Sequence, residues 1–288
     1  MKAVREGRLE MSPSVIGHWD LCLQCRACEL ACPSGVEYGR LMEATRAQVG
    51  QHASRSFTER IARAIGYNTL LPSPTKLRMA GTALKLYKKT GMRTIARGTG
   101  MLKLLPGDAE LADRYLPNLS KKFFKASGQV HPAQGVRKAR VAMLAGCVMA
   151  LAHAETLEAT VRVLNRNGIE VHVTGGQVCC GALNTHFGEP DSAIEMAMKN
   201  IDSFLSINPD AIVSASAGCG AAMKDYEQLL INESEYADRA KQVADLTKDV
   251  HELLVEQGFD APKQALNVSV TYQDPCHLAN VQKITEAP

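Results

Sequence analysis

The sequence predicts a mixed fold, α+β grading into α/β: a small helical cysteine-loop module, a helical connector, then an α/β domain built on a parallel sheet. Three observations predict it. Four of the nine cysteines fall between positions 22 and 32. A basic stretch with helical spacing, punctuated by glycine and proline, follows them. From residue 141 onward, short apolar runs alternate with amphipathic stretches, which is how strands alternating with helices are written in a covered parallel sheet. The expected divisions are residues 1–50, 51–139, 140–265 and 266–288.

The opening module is the most specific part. Cys22, Cys25, Cys28 and Cys32, closed by Pro33, are separated by two, two and three residues. That is the bacterial ferredoxin run, whose soft thiolates hold a [4Fe–4S] cluster. A zinc site would normally arrive as two separated pairs, often with histidine.

The elements then follow in order. The first 20 residues carry little pattern. Tyr38 to Val49 has helical spacing, with Leu41, Met42 and Thr45 expected to share a face against the cysteine loop. Phe57 to Ile65 continues as a helix stopped by Gly66. Pro72 and Pro74 break the chain, and Lys76 to Lys89 makes a basic helix ended by Gly91. Gly98 to Pro132 reads as short helices and loops. Strands are expected at Val141–Ala145, Ile169–Thr174, Ala211–Ser216 and Val268–Tyr272. Helices are expected at Ala154–Asn165 (stopped by Gly168), Asp191–Leu205 and Ala221–Leu230, with two more before the last strand.

The remaining cysteines fall where such folds place functional groups, at the carboxyl ends of strands. Cys147 follows the first predicted strand, Cys179 and Cys180 the second, Cys219 the third and Cys276 the fourth. One buried cysteine is ordinarily a small hydrophobe. Four strand ends carrying cysteine, flanked by Gly146, Gly175, Gly176, Gly181, Gly218 and Gly220, point instead to a metal centre that the backbone approaches closely.

Composition sets the surroundings. The 288 residues are 45% hydrophobic and 22% charged, which suits a globular chain of about two domains on the usual prior of one per ~150 residues. An odd cysteine count, concentrated in one loop and one adjacent pair, favours metal ligation in a reducing, cytoplasmic compartment over a disulfide framework. No signal peptide opens the chain, because Lys2, Arg5, Glu6, Arg8 and Glu10 interrupt any apolar start. The longest apolar run, Val141 to Ala152, is far short of the ~20 residues a membrane span needs. Net charge is +3, yet residues 73–140 hold 15 Lys+Arg against 3 Asp+Glu, leaving 18 against 27 elsewhere. Such a basic block attracts an acidic subunit or an anionic membrane surface, unless it is simply a solvated helical face.

Taken together, Cys147, Cys179-Cys180-Gly181 and Cys219 resemble the cysteine-rich CCG domain, and Gln273-Asp274-Pro275-Cys276-His277 resembles the start of a second copy. A ferredoxin-type module, a helical connector and CCG domains resemble the family of iron–sulfur subunits that serves glycolate oxidase. Lactate and anaerobic glycerol-3-phosphate dehydrogenase subunits and heterodisulfide reductases are related. Cys32-Pro33-Ser34-Gly35-Val36-Glu37-Tyr38-Gly39-Arg40 and Ser216-Ala217-Gly218-Cys219-Gly220 are nearest to the glycolate oxidase type. The family carries an upstream ferredoxin run and completes the second CCG domain, so the resemblance implies a chain incomplete at both ends. Residues 1–50 would then be the C-terminal part of the ferredoxin-type module. Many CCG domains also carry a cysteine where Ala222 stands here.

The resemblance implies electron transfer rather than bond-making on a substrate. Cys22, Cys25, Cys28 and Cys32 would hold a [4Fe–4S] cluster. Cys147, Cys179, Cys180 and Cys219, with Cys276, would serve a second iron–sulfur centre. FAD would reside on a partner dehydrogenase subunit that oxidises a 2-hydroxy acid, with electrons passing towards the respiratory chain at the inner face of the cell membrane. His186 and His277 lie near cysteine loops, where a histidine is more often structural than a ligand. A thiol–disulfide enzyme acting at the CCG cluster is the rival reading. Nucleic-acid binding is not expected, since the basic segment has few aromatics placed to stack on bases.

Overall fold

The computed structural model describes every residue except 53–55, 105–108, 261, 263 and 266. Pro106 and Gly107 of the expected connector and the expected boundary at residue 266 therefore lie outside the described residues. Among the described residues the chain is mostly helical, with one five-stranded sheet drawn from residues 129–249.

Serine caps set the starts of the early helices. After a short turn of helix α1 (Lys2–Arg5), Ser12 accepts from the Val15 N–H and Pro13 occupies the first turn of α2 (Pro13–Asp20). Both are first-turn signals that the unpatterned opening residues carried unread. The cysteine loop contains α3 (Ala27–Leu30), and α4 (Tyr38–His52) follows. Met42, Thr45 and Val49 form its buried stripe, whereas Leu41 points outward. Ser56 caps α5 (Phe57–Ile65), and a π-turn over Gly66–Leu70 leads to Ser73, which caps α6 (Pro74–Lys89) with Pro74 in its first turn. Helix α7 (Met92–Gly98), a 3₁₀ turn (Met101–Leu104) and α8 (Ala109–Arg114) complete the connector.

Much of the basic charge there is engaged internally. Buried Asp113 accepts from Arg93 at 3.2 Å and from Arg97 at 2.6 Å. Lys88 donates to the carbonyls of Leu116 and Pro117, and Lys85 lies 3.6 Å from the ring centre of Phe123. Gly81 lets α6 approach that ring, since a Cβ there would stand 3.1 Å from Phe123.

The sheet runs β1-β3-β2-β4-β5 over β1 (Gln129–His131), β2 (Ala139–Met143), β3 (Ile169–Val173), β4 (Ala211–Ser214) and β5 (Thr247–Asp249). Strands β3, β2, β4 and β5 are parallel, and β1 adds an antiparallel edge on β3. Between them lie α9 (Val148–Ala152), α10 (Ala154–Arg166), α11 (Ala182–His186), α12 (Pro190–Leu205), α13 (Ala217–Lys224), α14 (Tyr226–Leu229), α15 (Ala237–Leu246) and α16 (Val250–Glu256). Alternate residues divide the core. Val141, Met143, Val171 and Val213 pack with Leu157, Val161 and Leu164 of α10. Ala142 and Ile212 face Met196, Ile201, Phe204, Met223 and Tyr226 on the opposite side, with Cys147, Cys179 and Cys180 in the same cluster.

Three expectations need correction. The stretch Gly98 to Pro132, expected as short helices and loops, also holds β1, because its Gln129–His131 backbone pairs with the open edge of β3. The helix expected over Ala221–Leu230 starts earlier, at Ala217, and breaks at Asp225 into α13 and α14. The strand expected at Val268–Tyr272 is irregular, with Val268 65%, Val270 85% and Tyr272 57% exposed. Alternation makes a strand only where a sheet edge accepts it. The fourth parallel strand is β5, too short and polar to read from the sequence. Cys276 therefore follows no strand, and three strand ends, rather than four, carry cysteine.

Candidate metal centres

At the carboxyl ends of β2, β3 and β4, four cysteines converge. Cys147 precedes α9, Cys179 and Cys180 lie in the loop after β3, and Cys219 sits in the first turn of α13. Cys147 and Cys179 Sγ are 3.3 Å apart. Cys180 is close enough to Cys179 and Cys219 for each to perturb its thiol, so with Cys219 packed against the other three the four cysteines form one string. Gly181 closes the loop at φ +86°, and a Cβ there would meet Ala193 at 3.3 Å.

Buried side chains fix the loop from below. Asn200 Oδ1 accepts from the Val178 N–H at 2.8 Å, and its Nδ2 donates to the Cys179 carbonyl at 2.9 Å. Tyr226 Oη donates to the Cys180 carbonyl at 2.9 Å. Gln177 ties β2 to the same loop, accepting from Ala145 N–H at 2.7 Å and donating to the Met143 carbonyl at 3.1 Å.

The string polarises its thiols alternately. Contact with Cys147 and Cys180 holds Cys179 well below the usual thiol range, and contact with Cys180 lowers Cys219. Cys147 is pushed up by its contact with Cys179 and by burial, and Cys180 by its contacts with Cys179 and Cys219 and by burial. Neighbouring N–H groups of Cys180 and Gly181 also donate towards Cys179.

In the opening loop, Gln24 (φ 59°) and Arg26 (φ 56°) take the left-handed conformation and turn the chain between cysteines. The Gln24 N–H donates to Cys22 Sγ at 3.4 Å. N–H groups of Val36, Ser34 and Gly35 lower the Cys32 thiol below its ordinary value. Cys22, Cys25 and Cys32 are half-buried, and Cys28 is exposed.

Arg26 and Arg46 join the two cysteine sets, and Arg63 ties the connector to the second. Arg26, between Cys25 and Cys28, donates to Glu29 at 2.9 Å and to Asp225, at the end of α13, at 3.2 Å. Gly39 leaves room for it, since a Cβ would lie 2.9 Å from Arg26 Cδ. Arg46 reaches the carbonyls of Cys22 and His186. Arg63 donates to Glu189 at 2.8 Å and to the Phe187 carbonyl at 2.6 Å. The residue type between the first cysteines was the available signal for Arg26; for Arg46 and Arg63 there was none.

Cys276 is exposed and begins a terminal π-turn (His277–Val281), outside the thiol string. That turn docks back on both sets, with Asn280 donating to the Cys25 carbonyl at 2.9 Å and Gln282 to the Ala217 carbonyl at 2.9 Å. His277 and His186 rings are 5.6 Å apart, and His186 Nδ1 lies 3.1 Å from Glu43. Among the described residues no group of three or more His, Cys, Asp and Glu side chains is arranged to hold a single metal ion. Soft sulfur donors with N–H groups aimed at them match what an iron–sulfur core requires, so the donor sets fit such a group.

Beside Cys180 and Gly181 a cavity of about 530 Å³ opens between α4, α13 and the terminal turn. No helix among the described residues is long and apolar enough to cross a membrane.

Residues 141–224, which hold all four thiols of the string, match the family model "Cysteine-rich domain". Residues 58–115 match "Glycolate oxidase iron-sulfur subunit, linker region". The chain is 37% identical over 291 residues to a probable glycolate oxidase iron–sulfur subunit of Bacillus subtilis (strain 168), covering 100% of this chain and 66% of that protein. It is 32% identical over 290 residues to the glycolate oxidase iron–sulfur subunit of Escherichia coli (strain K12), covering 99% and 64%. An uncharacterized iron–sulfur protein of Methanococcus maripaludis is 34% identical over 151 residues, covering 52% and 28%. No solved structure matches the chain. The chain thus spans just under two thirds of the length of the two glycolate oxidase subunits it matches.

Proposed function

The chain is a homologue of the glycolate oxidase iron–sulfur subunits, with their linker region and a cysteine-rich domain, and from that premise we propose that it is the electron-transfer part of a 2-hydroxy-acid dehydrogenase or oxidase. The observation that carries the reading is the string Cys147–Cys179–Cys180–Cys219, with the first three buried, Cys219 half-buried, and the Cys179 and Cys180 carbonyls held by Asn200 and Tyr226. These four would hold one iron–sulfur centre, and Cys22, Cys25, Cys28 and Cys32 a [4Fe–4S] cluster. Such groups supply one-electron transfer at potentials set by hydrogen bonds to sulfur and by burial. The chain's own part is to orient the thiols, direct N–H groups at them and keep water from the inner set. Arg26 and Arg46 fix the two sets relative to each other.

A flavin-containing dehydrogenase subunit, carrying FAD, is the proposed electron donor, and the proposed setting is the cytoplasm at the inner face of the cell membrane, with electrons leaving towards the respiratory chain. Exposed cations of the connector would meet the anionic partner or lipid. Lys85 and Lys88 are poor candidates for that role, since both already donate to backbone carbonyls.

Iron and sulfide analysis of the anaerobically purified chain, with electron paramagnetic resonance, tests the reading. Cys179→Ser and Cys180→Ser should each lose one centre while the signal of the Cys22–Cys32 loop persists, because the substitutions lie in separate modules. Unchanged iron in both variants would remove the ligand assignment. Cys276→Ser is expected to leave iron content unaltered.

A further inference from the structure

We infer that the cavity between α4, α13 and the terminal turn binds a compact, neutral, largely apolar organic molecule that presents a carbonyl oxygen. At about 530 Å³ it falls in the size range of small-molecule sites. Ala44 and Ala47 of α4, Ile194 of α12, Ala221 of α13 and Leu229 of α14 supply an apolar lining.

Charge on the walls cancels. Arg26 and Arg40 stand against Glu43 and Asp225, and Arg26 already donates to Glu29 and Asp225. A charged ligand would lose hydration there without gaining a net field. Hydrogen bonding supplies the polar preference. Glu43 is engaged by His186, and Tyr226 by the Cys180 carbonyl. Two atoms of lining residues, Arg40 Nε and His277 Nε2, are buried with no partner. The arginine N–H can only donate, and a buried donor left unpaired costs about 1–3 kcal/mol. A ligand oxygen reaching it removes that cost. Both atoms are shielded from solvent although the Arg40 side chain is otherwise partly exposed, so a side chain must rotate for a ligand to reach either atom, an ordinary adjustment at binding sites.

The cavity joins the two cysteine modules and borders Cys180, so its occupant would brace their interface beside the thiol string. The inference does not rest on the electron-transfer reading, because binding is measured without reference to iron.

Calorimetric titration of the full chain with 1-tetralone, and with tetralin as the same bicycle lacking oxygen, tests it. The ketone should saturate a single site and bind at least about tenfold more tightly than tetralin, the scale of one satisfied buried donor. Ala44→Phe and Ile194→Trp fill the cavity from two different helices, and each should weaken the ketone by about tenfold or more through steric exclusion. Arg40→Met should weaken the preference for ketone over hydrocarbon, and Arg40→Met combined with His277→Phe should abolish it. Circular dichroism establishes that each variant is folded; if one filling variant is not, the other and Arg40→Met decide. Absence of saturable binding, equal affinity for the two bicycles, or undiminished binding in the folded filling variants would each overturn the assignment.

Discussion

Arg46 Nη1 donates to the carbonyl oxygen of His186 at 2.8 Å. The same guanidinium reaches back through Nη2 to the carbonyls of Cys22 at 2.7 Å and Trp19 at 3.2 Å. One side chain on α4 therefore fastens the start of the opening cysteine loop to the segment that follows the inner thiols. Five donors in a rigid fork suit arginine to this better than lysine.

Replacing it should separate the modules without unfolding the sheet. Arg46→Met leaves carbonyls at the junction without their charged donor, at a cost of about 1.5–3 kcal/mol. Arg46→Lys should recover part of that. Urea midpoints and limited proteolysis near residue 22 report the change. An unaltered midpoint with unaltered proteolysis would show that the link contributes nothing to holding the modules together.

Glycine at 188 serves the same junction from the opposite side. Its φ is +75°, and a Cβ would stand 2.4 Å from the Arg46 carbonyl oxygen, a backbone atom that cannot rotate away. Gly176 has a similar φ of +85° but nothing within 4 Å. Gly176→Ala should therefore cost only the left-handed strain, about 1–2 kcal/mol. Gly188→Ala should cost clearly more, because α4 must also shift. Equal urea midpoints for the two variants would mean that α4 does not press on Gly188 in solution.

Tyr226 offers a test of the frame beneath the inner thiols. Its hydroxyl is buried, donates to the Cys180 carbonyl and accepts from Asn200 Nδ2 at 3.1 Å. Tyr226→Phe keeps the ring and removes both bonds, leaving a buried carbonyl unpaired at about 1–3 kcal/mol. The loop should also open more often, so that Cys180 reacts faster with a disulfide reagent in the metal-free chain. Reaction at the parental rate, with parental stability, would rule the hydroxyl out as a support.

How much of this was legible in the sequence depends on the range of the interactions. The cysteine loop could be read because its information is local: four thiols at fixed spacing and a proline. Strands β2 and β4 could be read because Val141 and Val213 sit in apolar runs buried on both faces of the sheet, and β3 because Ile169, Val171 and Val173 alternate with Glu170 and His172. β5 could not, because Thr247, Lys248 and Asp249 form a strand only by pairing with Ile212, Val213 and Ser214. Val268, Val270 and Tyr272 misled for the converse reason, being a strand pattern that no edge accepts. The cavity and the Arg46 junction depend on residues some 140 positions apart, such as Arg46 and His186, and no periodicity records that distance.

Stability at the amino end of the sheet should depend on pH through Glu170, far along the strands from the thiols. Arg140 and Glu170 are paired in register between β2 and β3, and Arg140 Nε lies 3.1 Å from the carboxylate. His172 is 2.9 Å from the same carboxylate and Arg137 3.3 Å. The hydrogen bond from His172, with those from Arg140 and Arg137, lowers the Glu170 carboxyl from 4.5 to about 2. Because the folded value lies below the unfolded one, the folded state holds this group ionised where the unfolded chain would protonate it. Its stabilising contribution is whole above the ordinary value and fades as pH falls towards the folded value. Glu170→Gln removes the titration while keeping the shape. The difference in urea midpoint between parent and variant should therefore be largest near neutral pH and shrink steadily below about pH 4.5. Other carboxylates are common to both proteins and cancel in that difference. A gap that stays constant down to the acid limit of folding would show that Glu170 is no more strongly paired in the folded protein than in the unfolded chain.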